Sequence, residues 1–231
     1  MLSKAHMTKK EYDKFDKANA NFQALTPLSF IERSAKVFPN HPAVVYGEIK
    51  YSWRELFDRT IKLASALTKF GIKKGDTVSI LSANTPEMIE AHFGVPMSGA
   101  VLNTINTRLD SETIAYILNH SEATVFIIDS ELSPQAESAI KLSKNKDLYV
   151  IDIVDFQNAR EPKTIGHITY DKFIGSGDAD FDWQLPDDEW DAISLNYTSG
   201  TSGKPKGVVY HHRGSYLMSM GTITDWNLPK H

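Results

Sequence analysis

The sequence contains no cysteine, so disulfide frameworks, thiolate zinc sites and cysteine nucleophiles are excluded within its 231 residues. It also lacks any apolar run approaching about 18 residues, the length a membrane-spanning helix requires. The stretch from Met1 to Phe22 has no apolar h-region and no arginine, and its lysines alternate with acids. Neither a secretory signal nor a mitochondrial presequence fits that pattern, and the cytoplasm is the default expectation. Positive charge is not in excess either: Lys plus Arg total 25 against 29 for Asp plus Glu, a net charge of −4. That balance argues against a nucleic-acid binder.

What is present is an ordinary globular composition, 41% hydrophobic and 23% charged, which supplies enough apolar surface for a core. The length allows one large domain or two modest ones. Ser52-Trp53-Arg54-Glu55 reads as a capping box, followed by Leu56, Phe57, Ile61, Ala64 and Leu67 at helical spacing and Gly71 as the stop. Thr85-Pro86-Glu87 opens a second helix, with threonine as cap and proline in the first turn. Val78–Leu81, Ala100–Leu102, Thr124–Ile128 and Leu148–Val154 have strand character, and Ser111–Asn119 and Pro134–Leu142 read as helices between them. This alternation predicts an α/β fold of layered, mostly parallel sheets flanked by helices, with ligands at the carboxyl ends of the strands. Between Phe156 and Asp191, glycines, prolines and a run of aspartates read as a solvated connector; the acids lack the glycine-centred pattern of a calcium loop.

Directly after the acids the charge reverses. From Ala192 to Thr224 there is no Asp or Glu, while Lys204, Lys206 and Arg213 are present. A candidate strand, Ala192–Tyr197, runs into Thr198-Ser199-Gly200-Thr201-Ser202-Gly203-Lys204-Pro205-Lys206-Gly207, and Val208-Val209-Tyr210 resumes an apolar run. The glycines permit close backbone approach, the hydroxyls of Thr198, Ser199, Thr201 and Ser202 can donate, and two lysines supply point charges. Such a loop suits a polyphosphate. It is not a Walker loop: Thr198 stands where the first glycine should be, and Pro205 where the magnesium-binding hydroxyl should be. A flexible linker is the competing reading, but linkers do not normally join two apolar runs through Pro-Lys-Gly.

The stretch Tyr197–Gly207 resembles the phosphate-loop signature of the AMP-forming acyl-CoA synthetases, members of the adenylate-forming superfamily, with Ser202 where threonine is usual. The likeness extends through Tyr51–Leu56, Gly75–Val78, Asn84–Glu87 and Gly99–Leu109. The last of these, with His212-Arg213-Gly214, is similar to the branch of medium-chain fatty-acid and short thio- or aryl-acid CoA ligases. The resemblance implies that residues 26–231 are a partial AMP-binding domain ending after the phosphate loop, preceded by an extension at residues 1–25, with no C-terminal domain. It implies ATP with Mg2+, a carboxylic acid, a fatty acid in this branch, and coenzyme A as co-substrate. Thr198, Ser199, Gly200, Thr201, Ser202, Gly203, Lys204 and Lys206 would hold the nucleotide's phosphates, and His212 would line the acyl or nucleotide pocket. The catalytic residues would lie downstream of residue 231. A non-catalytic nucleotide-binding or interaction module that retains only the phosphate loop is the alternative.

Smaller signals are read conservatively. Adjacent His211 and His212 point apart and have no third ligand at usable spacing, so no metal site is assigned. His92 with Phe93, and Tyr216, Leu217, Met218 and Met220, read as core. The isolated 231-residue chain is expected not to catalyse adenylation; ATP–pyrophosphate exchange by the purified chain is the check, and detectable turnover would overturn it.

Overall fold

The computed structural model describes residues 16–18, 20–155, 163–198 and 203–228. The first elements are helix α1 (Leu28–Val37), a hairpin of β1 (Pro42–Tyr46) and β2 (Ile49–Ser52), and helix α2 (Trp53–Phe70). Then come β3 (Thr77–Leu81), α3 (Pro86–Met97), β4 (Val101–Thr104), α4 (Ser111–His120) and β5 (Ala123–Asp129). A single 3-10 turn at Ser130–Leu132 leads into α5 (Ser133–Leu142) and β6 (Tyr149–Ile153). The rest comprises β7 (Ile168–Thr169), α6 (Tyr170–Gly175), β8 (Ala192–Thr198), β9 (Lys206–His211) and α7 (His212–Asp225). Among the described residues β3 to β9 form one sheet in the order β7-β6-β5-β3-β4-β8-β9. Neighbours are parallel except the final pair, β8 and β9, which form an antiparallel hairpin at the edge.

Local chemistry explains the element boundaries. The Ser52 hydroxyl accepts from the Glu55 amide and the Glu55 carboxylate accepts from the Ser52 amide, a complete capping box, and Gly71 closes α2 at φ 105°. Thr85 begins α3 differently from expectation. Its side chain makes no cap bond to the helix and lies 3.3 Å from the Ser82 hydroxyl, leaving Pro86 and Glu87 to shape the first turn. The β1–β2 hairpin turns at Gly47, φ 56°, a short element the sequence patterns did not signal.

The period of two along the central strands divides the core between the two faces of the sheet. Val78, Ile80, Val125, Ile127 and Ile151 face α2, α3 and α6, meeting Leu63, Leu67, Val95 and Phe173. Leu81, Phe126, Ile128 and Val150 face the other way, onto Ile114, Ile117 and Leu118 of α4 and Ala136 and Ala139 of α5. A third cluster seats α1 and the β1–β2 hairpin on Leu56, Phe57 and Ile61 of α2.

The stretch expected to be a solvated connector is partly structural. Its residues 168–175 supply β7 and α6, whose Tyr170, Phe173 and Ile174 are buried in the first cluster. Tyr170 donates to the fully buried Glu90 at 3.0 Å, and Arg59 Nε binds the same carboxylate at 2.6 Å. Burial raises the Glu90 pKa above the usual range, against the pull of Arg59. Two other readings need correction. Leu217, Met218 and Met220 on α7 are exposed, and Tyr216 stacks on Phe30 of α1 at 4.7 Å. His92 is exposed on α3, its Nδ1 2.7 Å from the Met88 carbonyl, while Phe93 packs against the third cluster.

Just beyond α6 the chain crosses the back of α2 with no room to spare. A Cβ built on Gly177 would stand 2.0 Å from the Lys62 carbonyl oxygen, whereas one on Gly175 would meet nothing within 4 Å. Gly177→Ala should therefore destabilise the fold by about 1–3 kcal/mol, the range for overpacking, while Gly175→Ala stays near neutral. Urea unfolding of the two variants side by side checks this.

Candidate functional site

The carboxyl ends of β3, β4 and β8 open onto a cavity of about 570 Å³. Ser82 to Asn84 leave β3 along its wall, Thr104 to Thr107 leave β4, and Asn196 and Tyr197 of β8 close a side. The arrangement follows from the topology. The chain passes from β3 to β4 on one side and then returns to β5 on the other, a switch of direction that splays the loops and leaves a crevice.

Strand β8 hangs on β4 by a single backbone pair, Leu102 with Ser194. Side chains complete the junction. Asn103 Nδ2 donates to the Leu195 carbonyl at 2.7 Å, and Thr104 Oγ1 donates to Asn196 Oδ1 at 2.8 Å. Ser79 Oγ in turn donates to Asn103 Oδ1 at 2.9 Å, so the tie reaches into β3. These bonds fix the direction in which β8 delivers Thr198.

Beyond Thr198 the antiparallel register returns Lys206 opposite Thr198 and Gly207 opposite Tyr197. Gly207 sits close against β8: a Cβ would lie 3.0 Å from Leu195 Cδ1 and 3.5 Å from Tyr197 Cζ, so a larger residue must displace the Leu195 side chain. Gly203 has φ 113°, the left-handed region glycine tolerates. Ser199, Gly200, Thr201 and Ser202 lie outside the described residues. Thr198, Gly203, Lys204 and Lys206 are all exposed at the open end of the hairpin, just past the Asn196 and Tyr197 that line the cavity, and Lys204 borders a second cavity with Tyr116 and His120. Lys36, Lys69, Lys74, Lys141 and Lys163 each face a carboxylate. Lys204 and Lys206, like Lys50, Lys62, Lys73, Lys144, Lys146 and Lys172, face none among the described residues, and these two sit together at the hairpin mouth.

Two residues that sequence reasoning grouped with the loop lie elsewhere. Strand β9 carries the chain roughly 17 Å away before His212 is reached, at the opposite end of the parallel strands. His212 is 4% exposed there, its Nδ1 2.8 Å from the Thr26 hydroxyl, and it borders a separate cavity with Lys74, Trp183 and Asp191. His212, expected to line the acyl or nucleotide pocket, thus lines this separate cavity rather than the one at the strand ends, and ties α7 to the segment before α1. Arg213 is likewise occupied, with its guanidinium 2.6 Å from Glu189. Conversely, Tyr116 and His120 of α4 reach the hairpin through Lys204 and Tyr197, contacts that sequence reasoning missed. The aromatic pair at i, i+4 is visible in the sequence; its partner 77 residues on is not.

Comparison with known proteins agrees with this architecture. Residues 31–230 match the family described as AMP-binding enzyme, and the chain belongs to that family. It is 43% identical to a hop (Humulus lupulus) acetate–CoA ligase, CCL3, over 96% of this chain and 41% of that protein. It is also 43% identical to the Arabidopsis thaliana peroxisomal acetate/butyrate–CoA ligase AAE7, over 95% of this chain and 40% of that protein. Among solved structures, the anthranilate CoA ligase AuaEII in complex with anthranoyl-AMP superposes with a TM-score of 0.74 at 25% identity, covering 83% of this chain and 36% of that one. The chain thus spans about two fifths of the length of these curated relatives. No helix among the described residues is long and apolar enough to cross a membrane.

Burial, more than its charged neighbours, lowers the His212 pKa from 6.5 to about 4. The native state therefore binds fewer protons than the unfolded chain across that window, and stability present above pH 6.5 is lost as pH falls toward 4. The loss attributable to this residue is about 3 kcal/mol, from 1.36 kcal/mol per pKa unit. Unfolding free energies of wild type and His212→Phe at pH 7 and pH 4.5 should converge on acidification, whereas pyrophosphate affinity at pH 7 should be unchanged by the substitution.

Proposed function

We propose that this chain is the phosphate-holding part of an AMP-forming acid–thiol ligase. In the reaction, a carboxylate oxygen attacks the α-phosphorus of ATP and pyrophosphate departs, leaving an acyl-adenylate. The thiol of coenzyme A then attacks the acyl carbon and AMP leaves, giving a thioester. A carboxylate is a poor electrophile, and adenylation gives its carbonyl carbon a good leaving group. The demand on the protein is to hold the triphosphate in line and to offset charge on the phosphoryl oxygens.

One observation carries this reading: two lysines with no counter-ion among the described residues, at the mouth of a hairpin whose outgoing strand borders the strand-end cavity through Asn196 and Tyr197. In this reading Thr198, Gly203, Lys204 and Lys206, together with Ser199, Gly200, Thr201 and Ser202, bind the β- and γ-phosphates and then the departing pyrophosphate. Magnesium in this reading enters with ATP as the substrate complex. The acid is a carboxylic acid, and we place it among fatty acids at the short end, since the hop and Arabidopsis relatives are named for acetate and butyrate. Coenzyme A as acceptor rests on those same names. The compartment is the cytoplasm in our reading, with the peroxisome as its competitor because the Arabidopsis relative is named peroxisomal.

Lys206→Ala tests the phosphate assignment. A hydrogen bond to a charged group contributes about 1.5–3 kcal/mol, so pyrophosphate and ATP should bind roughly ten- to a hundredfold more weakly while AMP changes little. Titration calorimetry with the three ligands reads the contrast. Equal weakening of AMP would place the lysine's role elsewhere.

A further inference from the structure

Helix α4 touches both arms of the β8–β9 hairpin. Its Tyr116 and His120, one turn apart, stack at 5.4 Å with their planes 29° apart. On the outgoing arm, His120 Nδ1 lies 2.7 Å from the Tyr197 hydroxyl, and the two rings meet edge to face at 5.7 Å. On the returning arm, Lys204 Nζ lies 5.3 Å from the centre of the Tyr116 ring. These contacts bracket the hairpin mouth, one residue before Thr198 and two before Lys206.

The backbone leaves this mouth weakly fixed. Strand β9 is the sheet edge, and β8 pairs with β4 through one rung, near its start. The side-chain ties of Asn103 and Thr104 hold β8 as far as Asn196 on its β4 side. The next contact outward is Tyr197 with His120. Burial and the neighbouring Tyr116 push the Tyr197 hydroxyl up to about 12, so it stays neutral at pH 7 and shares one hydrogen bond with His120 Nδ1, the imidazole tautomer setting which of the two donates. Tyr116 and His120 do not border the cavity at the strand ends; with Lys204 they line a separate cavity on the α4 side.

We infer that His120 is a positioning residue that, through Tyr197 and in company with Tyr116, sets the arms from which Thr198, Lys204 and Lys206 reach a polyphosphate. The inference rests on the phosphate-holding reading above and deepens it. His120→Phe keeps a ring against Tyr116 and removes the nitrogen; Tyr197→Phe keeps its ring and removes the hydroxyl. Titration of the full 231-residue chain with inorganic pyrophosphate and magnesium should show each variant weakened about three- to tenfold, the worth of one hydrogen bond. The double variant should lose no more than either single one, because both remove the same contact. His120→Asn, whose amide supplies both a donor and an acceptor in place of Nδ1, should recover most of the affinity.

Wild-type affinity in His120→Phe, or losses that add in the double variant, would overturn the positioning role. Amide hydrogen exchange without ligand supplies an independent readout. The β9 amides should exchange about three- to tenfold faster in His120→Phe, and unchanged protection would also overturn it. If wild type fails to bind pyrophosphate, the phosphate-holding reading falls, and the exchange rates alone decide whether His120 sets the hairpin.

Discussion

The seam between β4 and β8 is the constraint on which the site depends. Five strands, from β7 through β4, form a continuous parallel sheet with helices packed on both faces, and their geometry is over-determined by the core. The hairpin of β8 and β9 joins that sheet through one backbone pair and two side-chain bonds, from Asn103 and Thr104. Buried amide and hydroxyl groups are costly unless partnered, so the Ser79–Asn103–Leu195 chain of bonds admits little slippage in register. A shift of one residue along β8 would turn Tyr197 away from His120 and carry Thr198 out of place. The polar seam is thus the link between a rigid scaffold and an exposed loop.

Charge is distributed with similar economy. At the foot of the sheet two cations have carboxylates: Lys74 with Asp187 and Asp191, Arg213 with Glu189. At the top, the hairpin mouth holds Lys204 and Lys206 without one among the described residues, and Tyr116 offers Lys204 only a ring face. Membership of the AMP-binding enzyme family fits this polarity. An anion approaching the carboxyl ends of the strands meets unpaired positive charge, and the acidic run 178–191 is kept at the other end.

Much of the fold could be read in the sequence because its determinants are local. The Ser52–Glu55 capping box, Gly71 at positive φ and the period-two runs at Val78–Leu81 and Thr124–Ile128 each depend on residues within a few positions. Helix α6 was not legible, since six residues between glycines and acids carry too little periodicity and are buried only through long-range partners such as Glu90 and Arg59. At the site, the glycines, hydroxyls and lysines on which the phosphate-loop reading rests lie within ten residues, so that reading needed no long-range contact. The position of His212 was not legible, because it turns on β9 running antiparallel to β8, which nothing in Val208-Val209-Tyr210 announces. Tyr116 and His120 escaped notice for the same reason, with their function residing in contacts that close only in three dimensions.

The Glu189 carboxylate accepts from the Leu25 amide and Thr26 meets His212, contacts that span 164 and 186 residues. Loop-closure entropy rises with every residue enclosed, and such bonds return nothing until the far end exists. During synthesis, where segments near the start emerge first, the stretch around Leu25 and Thr26 must therefore wait, unseated, while nearly the whole described sheet assembles. Its docking then follows the assembly of the segments it clasps.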